Sequence, residues 1–399
     1  MRFLLVGVLI FCGCAGRPPV WSPQAVKFDD RVEIPAQFPA HGLPVVAIER
    51  STKNDEGEVR ETLAIIDTGA AASIVTPKYA KAHKLEVRNV GDVQMQDALK
   101  QKAPAADVAH LKSVALGHTS IEGSGAKFED FDALVQDLKS MHALSEKLDV
   151  VLARPVFRDV LLTIDYPRRR VFVEHGSLPQ PNGRDVLPMR RDDAGDLLIP
   201  VRLLNQDAWL ILDTGHTAAG LSLSRYRLVA VPWAAPPVEG DKVHTFLSAA
   251  ASKVGRMNDN VSVGQYTFAK PILSISYDDD REYIGADCLR HFVVTIDQKN
   301  NRVRLTRATT RPIETPALAR LGFDFADEHG KVELIEGSAA QRAGLKDDDV
   351  VRAINGVPIE RFSYAQREVI ERSKEPMTLR VERDGEEMIL RVPLTVIIP

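Results

Sequence analysis

The sequence predicts a mainly β protein with two tandem β lobes that form an intramolecular pseudo-dimer, followed by a small α+β domain. Three observations support this prediction. First, a hairpin pattern whose second strand ends in Asp-Thr-Gly occurs twice. Second, each copy continues to a later apolar segment and a closing strand that ends in Ile-Asp. Third, the pattern changes to short strands and helices after residue 316. A chain of 399 residues is long enough for several domains of about 100 to 200 residues each.

The composition is that of an ordinary globular protein. Hydrophobic residues make up 44%, charged residues 27% and aromatic residues 6% of the chain, which argues against a disordered or fibrous protein. The formal net charge is −4. This balance provides no electrostatic footprint for nucleic acid, so we expect no nucleic-acid partner.

Residues 1–16 have the pattern of a signal peptide. The apolar run from Phe3 to Phe11 is shorter than the about 20 residues that cross a bilayer. The segment ending in Cys12-Gly13-Cys14 resembles a bacterial lipoprotein signal, which implies that Cys14 is diacylated and anchors the mature chain in a membrane. The alternative is cleavage after Gly16, with Cys14 discarded. Either way we expect an exported protein of the bacterial cell envelope, periplasmic or membrane-anchored.

Beyond the leader the body of the mature protein has one cysteine, Cys288, so no internal disulfide is expected. Its apolar neighbours favour a buried small hydrophobic role over that of a nucleophile. Residues 17–40 are rich in proline and are predicted to be a linker.

The repeat defines the two lobes. Lobe 1 is expected over residues 41–176 and lobe 2 over residues 189–307. In each lobe a hairpin delivers Asp-Thr-Gly, and a later apolar segment leads to a closing strand that ends in Ile-Asp. The closing pairs are Ile164-Asp165 and Ile296-Asp297.

The repeated motif, Ile66-Asp67-Thr68-Gly69 and Leu212-Asp213-Thr214-Gly215, resembles that of the retropepsin-like aspartic peptidases found in bacterial envelopes. The resemblance covers roughly residues 41 to 307. Members with one motif must dimerise, so two motifs imply a self-sufficient two-lobed layout comparable to pepsin. The resemblance implies that the catalytic residues and their supporting loops are Asp67, Asp213, Thr68, Gly69, Ala70, Thr214, Gly215 and His216.

Paired carboxylates have a chemistry that follows from their charge. Two carboxyl groups held a few ångströms apart cannot both ionise cheaply, so they share one proton. The ionised member accepts a proton from a water between them, and the protonated member donates to the substrate carbonyl. This chemistry requires no cofactor, and we expect no metal.

Two positions depart from the family pattern. His216 stands where Ala, Ser or Thr is usual, and it either packs as a neutral ring or alters the protonation of the dyad. Ala153 replaces a Gly, and its methyl group is expected to press on the catalytic loop. The segments 93–105 and 243–252 fall where each lobe's flap hairpin is expected.

Residues 316–396 resemble a PDZ domain of the bacterial envelope-protease type. Leu321, Gly322 and Phe323 match the carboxylate-binding loop, and a helix starts near Tyr364. The resemblance implies that a C-terminal peptide binds as an added strand beside this helix. The alternative is a groove that packs against the lobes and binds nothing.

Together these features predict an envelope aspartic endopeptidase that acts on peptide or protein substrates and has a peptide-binding PDZ domain. The alternative is a catalytically inactive or weak relative that binds peptides in the same cleft and PDZ domain.

Overall fold

The computed structural model describes residues 2–3, 18–38, 42–48, 62–90, 95–96, 102–103, 107–117, 125–138, 148–217, 220–239, 243–244, 249–250, 252–276, 280–325, 330–361, 366, 369–370, 373 and 375–399. The chain divides into two compact units, Arg2–Glu314 and Thr315–Pro399. The first contains both Asp-Thr-Gly motifs, and the second begins one residue before the predicted PDZ domain. The predicted mainly β architecture is confirmed.

Lobe 1 forms around a buried strand that delivers Asp67. This strand, Thr62–Asp67, is buried at every position and lies between an antiparallel neighbour and the parallel strand Leu148–Ala153. A strand buried on both faces requires a continuous apolar run, which Leu63-Ala64-Ile65-Ile66 supplies. The strands of this lobe are Ala25–Lys27, Arg31–Gln37, Val45–Ile48, Thr62–Asp67, Ser73–Val75, Glu86–Asn89, Asp107–Gly117, Gly125–Val135, Leu148–Ala153, Leu161–Asp165 and Arg170–Glu174.

Lobe 2 repeats this arrangement. The strand Gln206–Asp213 pairs antiparallel with Leu197–Leu203 and parallel with Tyr283–Gly285. The strands of this lobe are Val186–Pro188, Arg190–Arg191, Leu197–Leu203, Gln206–Asp213, Leu221–Ser224, Val238–Glu239, Ser252–Arg256, Val261–Val263, Tyr266–Ala269, Ile272–Ser276, Tyr283–Gly285, Val293–Asp297, Arg302–Thr306 and Ile313–Glu314.

One continuous sheet joins the lobes. The closing strands Leu161–Asp165 and Val293–Asp297 pair antiparallel, with Thr163 opposite Thr295. The hydroxyl groups of these two threonines are 2.9 Å apart and buried. Because the pairing is symmetric about this point, it marks the approximate twofold axis of the pseudo-dimer. Buried side chains of both lobes belong to one hydrophobic core.

The predicted linker over residues 17–40 is wrong for most of its length. The strand Ala25–Lys27 pairs with Gly125–Val135 of lobe 1. The strand Arg31–Gln37 pairs with Arg170–Glu174 and extends the interlobe sheet. Its apolar side chains Val32 and Ile34 are buried while the intervening residues are exposed. This alternation is the signature of a half-buried strand, and the neighbouring prolines obscured it in the sequence. Lobe 1 therefore begins before residue 41.

The second unit has a small core of its own. Leu321, Phe323 and Met377 are among its buried apolar residues. The turn at Asp384-Gly385 has positive φ at both residues, as a tight hairpin requires. The strands are Leu318–Arg320, Phe323–Phe325, Val332–Leu334, Val350–Ile354, Val357–Pro358, Met377–Arg383, Glu386–Val392 and Thr395–Ile398.

Helices are short throughout the described chain. The α-helices are Pro77–Ala82, Ala286–Leu289 and Ala339–Arg342, and the 3-10 helices are Arg154–Phe157, Arg225–Arg227 and Ile359–Arg361. Among the described residues, no helix has the length and apolar character needed to cross a membrane.

Candidate active site

The two aspartates lie at equivalent strand ends and face each other across the pseudo-twofold axis. Asp67 is opposite Ala153 in its parallel strand pair, and Asp213 is opposite Gly285 in the other. Their side chains are almost fully buried, with exposed fractions of 1% and 0%. The structure thus brings together two residues that are 146 positions apart, as the separation of the adjacent threonines shows.

Reciprocal threonine hydrogen bonds connect the two loops. The Thr68 hydroxyl accepts the Thr214 N–H at 3.0 Å, and the Thr214 hydroxyl accepts the Thr68 N–H at 3.1 Å. Each hydroxyl also donates to the strand of the opposite lobe, to the Leu212 and Ile66 carbonyls, at 2.7 Å. Four buried hydrogen bonds therefore fix one loop against the other.

Each motif glycine packs on the carboxyl group of the opposite lobe. A Cβ added to Gly69 would lie 2.4 Å from Asp213 Cγ, and one added to Gly215 would lie 2.7 Å from Asp67 Cγ. Neither contact is possible for a real side chain. Glycine is therefore required at both positions by the close approach of the carboxyl groups.

The two carboxyl groups have different hydrogen-bond environments. Asp67 Oδ1 accepts the N–H groups of Gly69 and Ala70 at 2.8 and 3.0 Å. Asp213 Oδ1 accepts the Gly215 N–H at 2.8 Å, while the His216 N–H points to the Asp213 backbone carbonyl at 3.4 Å. Within the described part of the chain, the two Oδ2 atoms are buried and have no donor other than the facing carboxyl group.

These environments separate the protonation behaviour of the pair. Burial raises the pKa of Asp67 to about 7, against the opposing effects of its N–H donors and of Arg154. Burial and the Asp67 charge raise the pKa of Asp213 well above its usual range, and Asp196 adds to this. Two N–H groups stabilise a negative charge on Asp67 and one stabilises a charge on Asp213. Asp67 is therefore the carboxyl group that ionises first, and the shared proton resides on Asp213.

His216 is a buried ring beside Asp213. It is 1% exposed and stacks on Tyr283 with ring centroids 4.9 Å apart and planes 16° apart. Gly285 provides the space for it, since a Cβ there would lie 2.7 Å from His216 Cδ2 and 2.4 Å from the His216 carbonyl oxygen. The stacking on Tyr283 and the space left by Gly285 therefore support the interpretation that His216 packs as a ring, one of the two roles considered from the sequence.

The equivalent loop hydrogen bonds of the two lobes differ in length. The Ala70 carbonyl accepts the Arg154 N–H at 3.3 Å, whereas the His216 carbonyl accepts the Ala286 N–H at 2.8 Å. The expected pressure of the Ala153 methyl group on the loop stays a prediction. The two equivalent positions therefore differ together between the lobes. Lobe 1 has Ala70 with Ala153, and lobe 2 has the larger His216 with the smaller Gly285.

This difference predicts unequal responses to exchanging the two small residues. We expect Gly285→Ala to lower the free energy of unfolding by about 1–3 kcal/mol because its methyl group overlaps the His216 backbone. Ala153→Gly is expected to cost about 0.5–1 kcal/mol, the usual entropic penalty of glycine. Urea unfolding measures both variants. Equal losses would show that the lobe 2 loop yields as easily as the lobe 1 loop.

The threonine network makes a second prediction about stability. Thr68→Val removes a hydroxyl and leaves a buried N–H and a buried carbonyl of lobe 2 without their partners. At about 1–3 kcal/mol for each of these two groups, we expect a loss of about 2–6 kcal/mol in the free energy of unfolding. Thr68→Ser keeps the hydroxyl and is the matched control. A loss as large in Thr68→Ser as in Thr68→Val would attribute the effect to packing instead.

Short hairpins lie in both predicted flap segments. Met95–Gln96 pairs with Lys102–Ala103 in lobe 1, and Val243–His244 pairs with Ala249–Ala250 in lobe 2. Arg2–Phe3 pairs in parallel with the first strand of the lobe 2 hairpin.

The predicted peptide-binding residues of the second unit lie partly in its core. Leu321 and Phe323 are each 1% exposed, so their backbone, and not their side chains, would meet a peptide. Gly322 has a φ of +88°, and an added Cβ would lie 2.9 Å from Ser338 Cβ. Phe323–Phe325 pairs with Val332–Leu334. Tyr364 and the predicted lipidation residue Cys14 lie outside the described residues.

Sequence reasoning missed two charged residues next to the dyad, Arg154 and Asp196, which are 4% and 1% exposed. A hint was available for the first, because Arg154 directly follows an apolar strand and precedes Pro155. Nothing in the sequence indicated that Asp196 would be its partner.

Comparison with known proteins identifies the C-terminal domain. Residues 332–383 match a family model described as "PDZ domain". A PDZ domain protein from Parabacteroides distasonis is 24% identical over 20% of this chain and 21% of its own, with a TM-score of 0.18. This chain thus spans about a fifth of that protein.

Two seed globulins are structurally similar to the larger unit. Conglutin gamma from lupine is 12% identical, with a TM-score of 0.42 over 70% of this chain and 95% of its own. Basic 7S globulin from soybean is 11% identical, with a TM-score of 0.41 over 70% and 96%. At these values the likeness says nothing about activity. The comparison with curated proteins finds no match. The family match and the fold together show that the chain contains a C-terminal PDZ domain, which follows a two-lobed, mainly β unit in the sequence.

Proposed function

We propose that the two-lobed unit is an aspartic endopeptidase. The observation that carries this proposal is the facing pair of buried carboxyl groups, one from each lobe, held by reciprocal threonine hydrogen bonds. Structural aspartates are ordinarily neutralised by a cation or by several donors, whereas the two carboxyl groups of this pair interact with each other and their buried Oδ2 atoms have no donor elsewhere among the described residues. The arrangement suits the activation of one water molecule.

The difference between the carboxyl groups assigns their roles. Asp67, which has more N–H donors, is ionised and accepts a proton from the attacking water. Asp213 holds the shared proton and donates it to the carbonyl oxygen of the scissile peptide bond. The resulting diol collapses when Asp67 passes the proton that it took from water to the amide nitrogen and Asp213 takes a proton from one diol hydroxyl. The C–N bond breaks, the carboxylic acid and the amine leave, and the dyad returns to its starting protonation. The reaction requires no covalent intermediate and no metal or cofactor.

The direct test is cleavage of a diverse peptide library by the purified mature chain from about pH 3 to 9. We expect cleavage that rises with pH as Asp67 ionises and falls at higher pH as Asp213 loses its proton. Binding of peptides without cleavage at any pH would instead support the alternative function, a non-catalytic peptide-binding protein that uses the same cleft.

The PDZ domain is proposed to bind peptide or protein partners, with a C-terminal carboxylate at Leu321-Gly322-Phe323. PDZ domains recognise an extended peptide by adding it to a sheet edge, which makes the backbone of Phe323–Phe325 the expected contact. We also propose that the protein acts in the bacterial envelope, anchored through diacylated Cys14. Mass spectrometry of the native N-terminus tests this, and an unmodified N-terminus at Arg17 would contradict it.

A further inference from the structure

Arg154 makes a buried connection between the Asp67 loop and lobe 2. It is the first residue of the 3-10 helix Arg154–Phe157 and is only 4% exposed. Its Nη1 donates to the Gly69 carbonyl at 2.9 Å, and its Nη2 donates to the Ala194 carbonyl at 2.8 Å. One guanidinium group therefore ties the loop that carries Asp67 to the start of lobe 2.

Asp196 is the counterion of this arginine and is also buried. Its Oδ1 lies 2.9 Å from Arg154 Nη1, and its Oδ2 lies 3.6 Å from Arg281 Nη1. The Arg281 guanidinium carbon is 5.7 Å from the centroid of the Tyr283 ring, which stacks on His216 beside Asp213. Asp196 thus stands between two arginines, each of which leads to one of the two catalytic loops.

A buried ion pair is seldom retained for stability alone. Desolvation of the two charges offsets most of their attraction, and well-packed apolar residues of similar volume often serve as well or better. An apolar pair, however, could not donate to the Gly69 and Ala194 carbonyls. It also could not place a positive charge near Asp67 and a negative charge near Asp213.

We propose that Arg154 and Asp196 are positioning residues of the Asp67–Asp213 site, fixing the Gly69 carbonyl against lobe 2 and keeping the two carboxyl groups in unequal environments. This inference rests on the proposed endopeptidase function. The interaction is specific to one side of the pseudo-dimer, since Ala286 follows Gly285 where Arg154 follows Ala153.

The charges around the dyad set the direction of the expected pH effects. Arg154 lowers the pKa of Asp67, and Asp196 raises the pKa of Asp213. The other charged or titratable groups near the dyad or its ion pair are Arg191, Arg281, Tyr166 and His216. Because Asp67 must be ionised, Arg154→Met is expected to move the activity profile to higher pH. Because Asp213 must be protonated, Asp196→Asn is expected to move it to lower pH.

The decisive variant replaces both charges, in Arg154→Met/Asp196→Leu. It removes both members of the buried ion pair, so we expect its thermal midpoint to fall less than that of Arg154→Met, which leaves the buried Asp196 carboxylate with Arg281 alone beside it. We expect kcat to fall about 10²-fold with little change in KM, because the Asp67 loop is no longer held in place. Wild-type kcat and an unshifted pH profile in the double variant would overturn the proposal.

Two further variants complete the test. Arg158→Met is the matched control, since Arg158 lies four residues away, is exposed and pairs with Asp159. It should match the wild type in kcat and pH profile. If the double variant does not fold, Arg154→Lys replaces it. Lysine keeps the charge, but its single ammonium nitrogen cannot occupy the positions of both Nη1 and Nη2 and so cannot reach the Gly69 and Ala194 carbonyls as the guanidinium does. We therefore expect a lower kcat with an unmoved acidic limb. Full activity in Arg154→Lys would contradict a role for the guanidinium geometry.

A measurement without substrate separates this proposal from the proposed function. The carboxyl ¹³C signals of Asp67 and Asp213 can be assigned from their loss in the corresponding Asn variants. In the double variant we expect the titration midpoint of Asp67 to rise and that of Asp213 to fall. A wild-type protein that cleaves nothing would refute the endopeptidase proposal alone, whereas unchanged titration midpoints would refute the positioning role alone.

Discussion

Asp67→Asn and Asp213→Asn are each expected to reduce turnover by about 10²- to 10⁴-fold, the usual contribution of a general acid or base. Both residues are proposed to act on the same water, so losing either one removes the whole reaction. Kinetics on the best library peptide measures the loss. Asp207→Asn is the matched control, because it makes the same change on the same strand at an exposed position. An Asp213→Asn enzyme with most of its activity would contradict a single shared site.

The same substitutions are expected to increase stability at high pH. The pKa of Asp67 is raised to about 7 in the folded state, so the folded protein holds a proton that the unfolded chain has lost. The protonated Asp67 does not lower the free energy of unfolding below a pH of about 3.9, the pKa of Asp in the unfolded chain. The free energy of unfolding then falls as the pH rises toward the folded-state pKa of about 7. Asn at this position does not titrate. Above pH 7 the Asp67→Asn protein should therefore resist urea better than the wild type, by on the order of a few kcal/mol.

The comparison is best made at two pH values. Near pH 3 the wild-type carboxyl group is mostly protonated in both the folded and the unfolded state, so the difference in stability between variant and wild type should be small. It should grow steadily toward pH 8. A difference that does not depend on pH would mean that the wild-type carboxyl groups are not destabilised by burial.

Gly69→Ala is expected to impair turnover by about 10²-fold, because its methyl group would displace the facing Asp213 carboxyl group. The overlap should also cost about 1–3 kcal/mol of stability. The effect should arise from this contact alone, since the φ of Gly69 lies outside the left-handed region.

Gly183→Ala provides the control for Gly69→Ala. Gly183 has a φ of +70° and open space around its Cα, so alanine there introduces backbone strain without a steric contact. We expect it to lose stability and keep activity. Wild-type turnover in Gly69→Ala would mean that the Asp213 carboxyl group can move without consequence for the reaction.

The repeat in the sequence and its family resemblance were sufficient to place the dyad. Two identical motifs at equivalent points of two homologous lobes are related by the axis between the lobes, and the resemblance to two-lobed aspartic peptidases implied that they meet at that axis. The predicted PDZ domain over residues 316–396 falls within the second compact unit, Thr315–Pro399, because the sequence pattern changes where one compact unit ends and the next begins.

The partners of the dyad could not be predicted in the same way. The Arg154–Asp196 ion pair depends on the register of two strands that are far apart in the chain, and single-sequence patterns do not encode such a register. His216 illustrates the same limit. Whether its ring meets the dyad or packs away depends on Tyr283 and Gly285, which reach it through a parallel strand pair. The strand Arg31–Gln37 was missed because its partner strand lies in the closing hairpin of lobe 1.

The shared sheet about Thr163 and Thr295 has a consequence for how the two halves can diverge. A site built from two separate identical chains forms only above a threshold concentration, and every substitution appears in both halves at once. Here the second half is always present at a fixed effective concentration, so the geometry of the site is insensitive to dilution. Each half is also free to change alone. Because of that freedom, Arg154 and Ala153 have no counterpart of the same type in lobe 2, and His216 has none in lobe 1. Two chemically identical aspartates therefore have different surroundings in every copy of the protein.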